Sequence, residues 1–401
     1  MDSQRLGATR ADRASTGTRR GGTAVSRLAL LLPAGICLLL GLNAGLLLLG
    51  GPAPLNSTRL GEAHGLLMTL GFVGALIALE RAVAHKAWWA FGAPACLAGG
   101  AILAVLPIPG WPGRTALALG TVVALLTYRR LWRRSYDPAV AVQSLGAALA
   151  VGAALQWAGG VPIPALVPWL TGFLVLTITG ERMELARVPL DTADGRTHDT
   201  EAVTTCVVLA SAVVIGTPWP AVGQIAFGLA LVLLAVRFAA RDVAWHTVRA
   251  TGLPRFAAAC MLAGYAWLAV SGVLWMVPDT GGMLYDAAVH AIFLGFVMSM
   301  ILAHAPVILP AVLRRQLPYT PGFWVVAALL HGSLLIRIAA DLAGLEVFRT
   351  LGGRLGVIAL LALVVTAFWM SVTASRGTPN RGTAKEVVGN EAAGKAGGQN
   401  P

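Results

Sequence analysis

One short pattern recurs three times along the chain, each time inside an apolar stretch and in the same direction. Residues 70–82 read LGFVGALIALERA, residues 171–183 TGFLVLTITGERM, and residues 294–306 LGFVMSMILAHAP. Each copy has Gly-Phe, an apolar helical stretch, and then a polar residue at the same distance from the Phe: Glu80, Glu181 and His304. A sequence period of this kind sets the architecture, because each repeat is one structural unit that must pack on its neighbours.

The surroundings of the repeat fix its solvent. The chain carries only 12% charged residues, and its apolar stretches run to about 20 residues, the length that crosses ~30 Å of hydrocarbon. Predicted spans cover about 28–50, 64–84, 88–107, 115–132, 138–158, 163–180, 201–216, 221–240, 256–277, 284–305, 322–343 and 354–374. The fold class is therefore all-α, a polytopic membrane bundle of about twelve transmembrane helices in three pseudo-repeated four-helix units. Residues 28–374 form the transmembrane domain. The polar segments 1–27 and 375–401 read as disordered cytoplasmic tails.

A net charge of +12 invites a nucleic-acid reading, which its distribution excludes. With the N-terminus inside, only Arg59, Arg114, Arg337, Arg349 and Arg354 fall on the outer side, and the rest of the 30 Lys and Arg lie inside. This is the positive-inside pattern, expected of a multi-pass membrane protein with both termini cytoplasmic, and its partner is the lipid bilayer. Cys37, Cys96, Cys206 and Cys260 stand singly in four spans, which excludes covalent c-type haem attachment and a zinc ribbon.

Ionisable groups inside a span are costly unless paired, so each is a candidate for function. His64 opens the second span at its outer end and His290 lies about two turns into the tenth; both spans run inward from the outside, so the two are expected at comparable outer depth. Two neutral imidazoles facing each other across a gap between helices make a low-spin haem b site. His331, mid-way along the eleventh span, is the third candidate metal ligand. Arg337 could hold a haem propionate bidentately, or pair with Asp341 one turn on. At the inner face Glu80, Arg81, Glu181, Arg182, Glu184 and His304 form a second polar layer. It reads as ion pairs and helix-end hydrogen bonds, or as a proton path.

Twelve spans in three units, with histidines at the outer ends of the second and tenth, resemble haem-copper oxidase subunit I. The phrases HGLLMTLGFVGALIALERAVA and HAIFLGFVMSMILAHAPVILP also resemble the NnrS-type group of bacterial haem- and copper-containing membrane proteins. The resemblance implies haem on His64 and His290, copper as a further metal, and a quinol or electron-transfer partner. It departs from the oxidases where their copper site lies: the sixth span carries GERME in place of a His, no His-His pair occurs, and the tenth span has one outer His. The expected chemistry is thus nitric oxide response, electron transfer or sensing, and not oxygen reduction.

The competing reading is a secondary transporter of a small solute with structural histidines. Against it, the repeat recurs every four spans and not every six, and the proline residues sit mostly at span ends. A third reading is a membrane scaffold with an empty site.

Overall fold

Apolar runs bounded by Pro, Gly and charged residues fold here as long helices joined by short turns. A computed structural model describes residues 29, 31–186, 193–278, 282–313 and 319–376, is 87% helical, and has no strand among the described residues. The two expected cytoplasmic tails lie outside the described residues, apart from 375–376 at the end of the last helix.

The helices are α1 (Leu31–Leu48), α2 (Thr58–His85), α3 (Gly92–Val105), α4 (Trp111–Ser135), α5 (Pro138–Ala158), α6 (Ile163–Ala186), α7 (Ala193–Ile215), α8 (Pro220–Arg241), α9 (Gly252–Met276), α10 (283–313), α11 (Gly322–Ala343) and α12 (Glu346–Arg376). They match the twelve predicted spans one for one. Among the described residues, ten segments are long and apolar enough to cross a membrane. The other two helices are α4, whose last turns carry four arginines, and α7, whose first turns read ADGRTHDTE. The chain is a polytopic helical membrane protein.

Local chemistry sets the turns. The α4–α5 hairpin closes on Tyr136-Asp137-Pro138: Tyr136 ends α4 in the left-handed region (φ 49°). The Asp137 side chain caps α5 by accepting from Ala139 N at 2.8 Å, and Pro138 takes the first helical position, where its missing N–H costs nothing. Small residues set a close crossing between α8 and α9. A Cβ on Gly228 would lie 2.5 Å from Gly272 O, and one on Gly272 2.6 Å from Gly228 O, so neither position admits a side chain without the helices parting.

The three motif-bearing helices are every fourth one, α2, α6 and α10, and they are the centre of the bundle. Within their spans 67%, 72% and 67% of residues are buried, against 28% for α12 and 39% for α1. α6 packs against both α2 and α10. α1 lies on α2 through Cys37 against Gly71, and α12 closes back onto α1 through Gly353 against Leu49. The large exposed side chains of α12, among them Val365, Phe368 and Trp369, form a lipid-facing surface.

The two histidine-bearing motif helices share a local irregularity. Leu67–Gly74 of α2 and Ala291–Val297 of α10 are wound as π-helix, each spanning the Gly-Phe of its motif. α6 carries the same Gly-Phe without a π segment. Such segments widen the turn and re-aim the side chains before them, and they concentrate at functional sites. Here they follow His64 by three residues and His290 directly.

Candidate functional site

A cavity of ≈760 Å³ opens at one end of the bundle, lined by residues of α1 to α6 and α10 to α12, His64 and His290 among them. His64 stands six residues after the first residue of α2 and His290 seven after the first of α10, so both lie ~10 Å along their helices. α2 thus starts at Thr58, ahead of the predicted span that His64 opens, and carries His64 inside the helix. Met68, Val167, Phe293, Leu294 and Leu360 make an apolar wall.

The two rings are held alike. His64 Nδ1 lies 2.9 Å from Gly41 O on α1, and His290 Nδ1 lies 2.8 Å from Asp286 O one turn earlier on α10. A carbonyl only accepts, so Nδ1 carries the proton in each case and Nε2 keeps its lone pair. This is the arrangement that orients and enriches a metal-binding imidazole. Gly45 makes room beside the first ring, since a Cβ there would lie 3.4 Å from His64 Cε1.

Arg337 lines the same cavity, and its partner is not Asp341. Its Nε and NH2 reach Asp286 across the α10–α11 interface, at 3.0 Å and 2.9 Å to Oδ2. Asp341 is buried and pairs instead with Arg349 of α12, Nε to Oδ1 at 3.2 Å. Two further cavity arginines meet no carboxylate among the described residues. Arg59 donates to Ile108 O at 2.9 Å, and Arg114 lies over the Trp157 ring at 5.8 Å. Glu62 adds one negative charge to the lining.

His331 is placed apart. It does not line the cavity, and Trp267 Nε1–H donates to its Nδ1 at 3.0 Å. An indole N–H can only donate, so that lone pair is engaged and the proton of the neutral ring sits on Nε2. Neither nitrogen is free for a metal. Among the described residues no group of three or more His, Cys, Asp or Glu side chains could hold a metal ion, so His64, His290 and His331 are not brought together as a ligand set.

The second polar layer forms at the opposite end and ties helices together. Arg81 of α2 donates to Glu181 of α6 at 3.0 Å, with Glu80 at 3.9 Å and Glu184 at 3.8 Å. Arg182 holds Asp242 with one nitrogen on both oxygens, at 3.0 Å and 2.8 Å, and Tyr265 OH donates to the same carboxylate at 2.6 Å. His304 Nδ1–H donates to Met300 O one turn earlier at 2.7 Å, and because α10 runs on to Leu313 it is a histidine inside the helix and not at its end.

Asp286, Arg59, Arg114, Arg349, Asp242 and Tyr265 were not singled out as site residues in the sequence reading. An acid four residues before a candidate ligand, as Asp286 is before His290, was the one available signal. The arginines read there only as outer-side charges.

The sequence profile of the family described as Domain of unknown function (DUF8744) matches residues 27–372. The chain belongs to this family. The match covers every helix from α1 to nearly the end of α12, so the cavity and the second polar layer both lie within the DUF8744 region. No curated protein and no solved structure matches the chain.

Proposed function

We propose that the cavity holds a b-type haem, whose iron Nε2 of His64 and Nε2 of His290 would hold. The observation that carries this reading is the pair of imidazoles lining one cavity from two different helices, each with Nδ1–H tied to a backbone carbonyl and Nε2 left with its lone pair. Volume and charge support it. The cavity falls within the ~300–1,000 Å³ of cofactor pockets. Arg59 and Arg114 supply two cations without carboxylate partners to set against two propionates. Arg337 is already committed to Asp286, so its part in this reading is to hold the α10 side of the site.

The bound group would supply one-electron chemistry, and His64 and His290 are the residues that would hold its iron. The chain's own residues hold and orient the imidazoles, offset the propionate charge and exclude water with the Met68, Phe293 and Leu360 wall. We therefore read the protein as a membrane electron-transfer or redox-sensing haem protein, of the kind the likeness to oxidase subunit I and the NnrS-type group suggests. It would work in nitric oxide response or with a quinol or electron-transfer partner. Its setting would be a bacterial inner membrane, with both termini cytoplasmic and the cavity facing outward. Copper is left out of the reading, because His331 has no free lone pair to offer.

The test is a reduced-minus-oxidised visible spectrum of the protein expressed with haem supplied and purified in detergent. Sharp α and β bands of a bis-histidine b haem are expected. Protein that carries no haem would overturn the reading and hand the cavity to a small solute, the transport alternative.

A further inference from the structure

A second binding surface lies at the opposite end of the bundle from the cavity, where α2 stops. His85, the last residue of that span, is buried at 3% exposure, yet neither ring nitrogen has a hydrogen-bond partner. Its ring meets the edge of Trp89 at 4.8 Å. The end of α2 and the following turn (Trp88–Phe91) both pack on α4, where Arg130 and Arg134 come within electrostatic reach of the imidazole. Burying a polar group without a partner costs free energy, so an unpartnered imidazole beside two arginines marks a missing ligand.

The charge there is large, and no ion pair with a described residue offsets it. Arg129, Arg130, Arg133, Arg134 and Lys86 are all exposed, and none forms a salt bridge with a described residue. The nearby carboxylate, Asp137, caps α5. The C-termini of α2 and α4 add about half a negative charge each, too little to offset five cations. Around this cluster three aromatic side chains stand in the open: Trp88 at 86%, Tyr136 at 69% and Trp132 at 36% exposure. A free anion has no use for that apolar rim, whereas a molecule with a phosphate and a glycerol-acyl body does.

We infer that His85, Arg130 and Arg134 form a headgroup site for an anionic phospholipid. The guanidiniums grip the phosphate in the bidentate manner arginine favours, and the imidazole N–H donates to a further oxygen. Trp88 and Tyr136 lie along the glycerol and upper acyl chains.

The test is native mass spectrometry of the full chain released from detergent micelles carrying dioleoyl-phosphatidylglycerol or dioleoyl-phosphatidylcholine. Phosphatidylglycerol adducts are expected to survive where phosphatidylcholine adducts do not. The pair Arg130→Gln/Arg134→Gln should weaken them about tenfold or more, since charge-assisted bonds are lost. His85→Gln should weaken them less. The pair Arg129→Gln/Arg133→Gln removes the same charge from the same turns and should leave most of the adduct. Equal retention of both lipids, equal loss in both arginine pairs, or displacement by millimolar inorganic phosphate would each overturn the inference.

Discussion

Arg337 of α11 grips Asp286 of α10 through Nε at 3.0 Å and NH2 at 2.9 Å, and the backbone carbonyl of the same Asp286 holds the His290 ring. One residue thus joins a cross-helix ion pair to a candidate ligand. The Asp286 carboxylate also stands 3.4 Å from His290 Nδ1 and 3.9 Å from Arg349. Two arginines and two aspartates, one pair on each side, fix α10, α11 and α12 around the open end of the cavity.

Asp286→Asn keeps the shape and the carbonyl but removes the charge. Arg337, with 10% of its side chain exposed, is left without its carboxylate, at a cost of about 3 kcal/mol, toward the lower end for buried pairs because Asp286 is 20% exposed. A lower Tm in detergent checks this. The bis-histidine bands should persist, while the haem midpoint potential should rise, because a negative charge that enriched the ligand imidazole is gone. A spectroelectrochemical titration reads that shift.

Arg81→Gln tests the other end. It leaves Glu80, Glu181 and Glu184 facing one another without the guanidinium that now lies within 3.9 Å of each. A loss of about 2–3 kcal/mol is expected, seen as a drop in Tm. Haem content should be unchanged, since this layer closes the far ends of α2 and α6 and does not line the cavity. A loss of haem with no loss of Tm would show that the two ends are functionally one site.

Gly272→Leu should part α8 from α9, because even a Cβ there meets Gly228 O at 2.6 Å. Overpacking of this kind costs ~1–3 kcal/mol or more, and a close backbone crossing cannot relax by a rotamer change. Thermal unfolding should reveal it, with the spectrum of any folded fraction intact.

His331→Ala separates the third histidine from the proposed site. The haem bands should be those of the parent protein, and the indole of Trp267, having lost its acceptor at 3.0 Å, should change its fluorescence.

The helices were legible because apolar length and the charges that bound it are local properties. The Gly-Phe repeat placed α2, α6 and α10 at equal depth, and the fold puts those three at the centre. Span ends were misjudged where polar residues find partners: α6 runs on to Ala186 since Glu181 and Arg182 are paired, and α12 begins at Glu346, where the sequence reading had loop until 354. That His64 and His290 sit six and seven residues into their helices was not legible by counting, because α2 begins at Thr58 and not at His64. What counting could not give were the partners: Asp286 for Arg337, Arg349 for Asp341, Trp267 for His331. Each of these crosses between helices, and which faces meet depends on packing and on two π segments that no composition announces.

The most direct measurement is haem content, by pyridine haemochrome, of His64→Ala and His290→Ala beside the parent protein and His304→Ala. Stoichiometric haem in the parent and in His304→Ala, with loss of the bis-histidine bands in both cavity variants, is the expected result. Bands that survive both cavity substitutions, or a parent protein without haem, would contradict the assignment of the cavity.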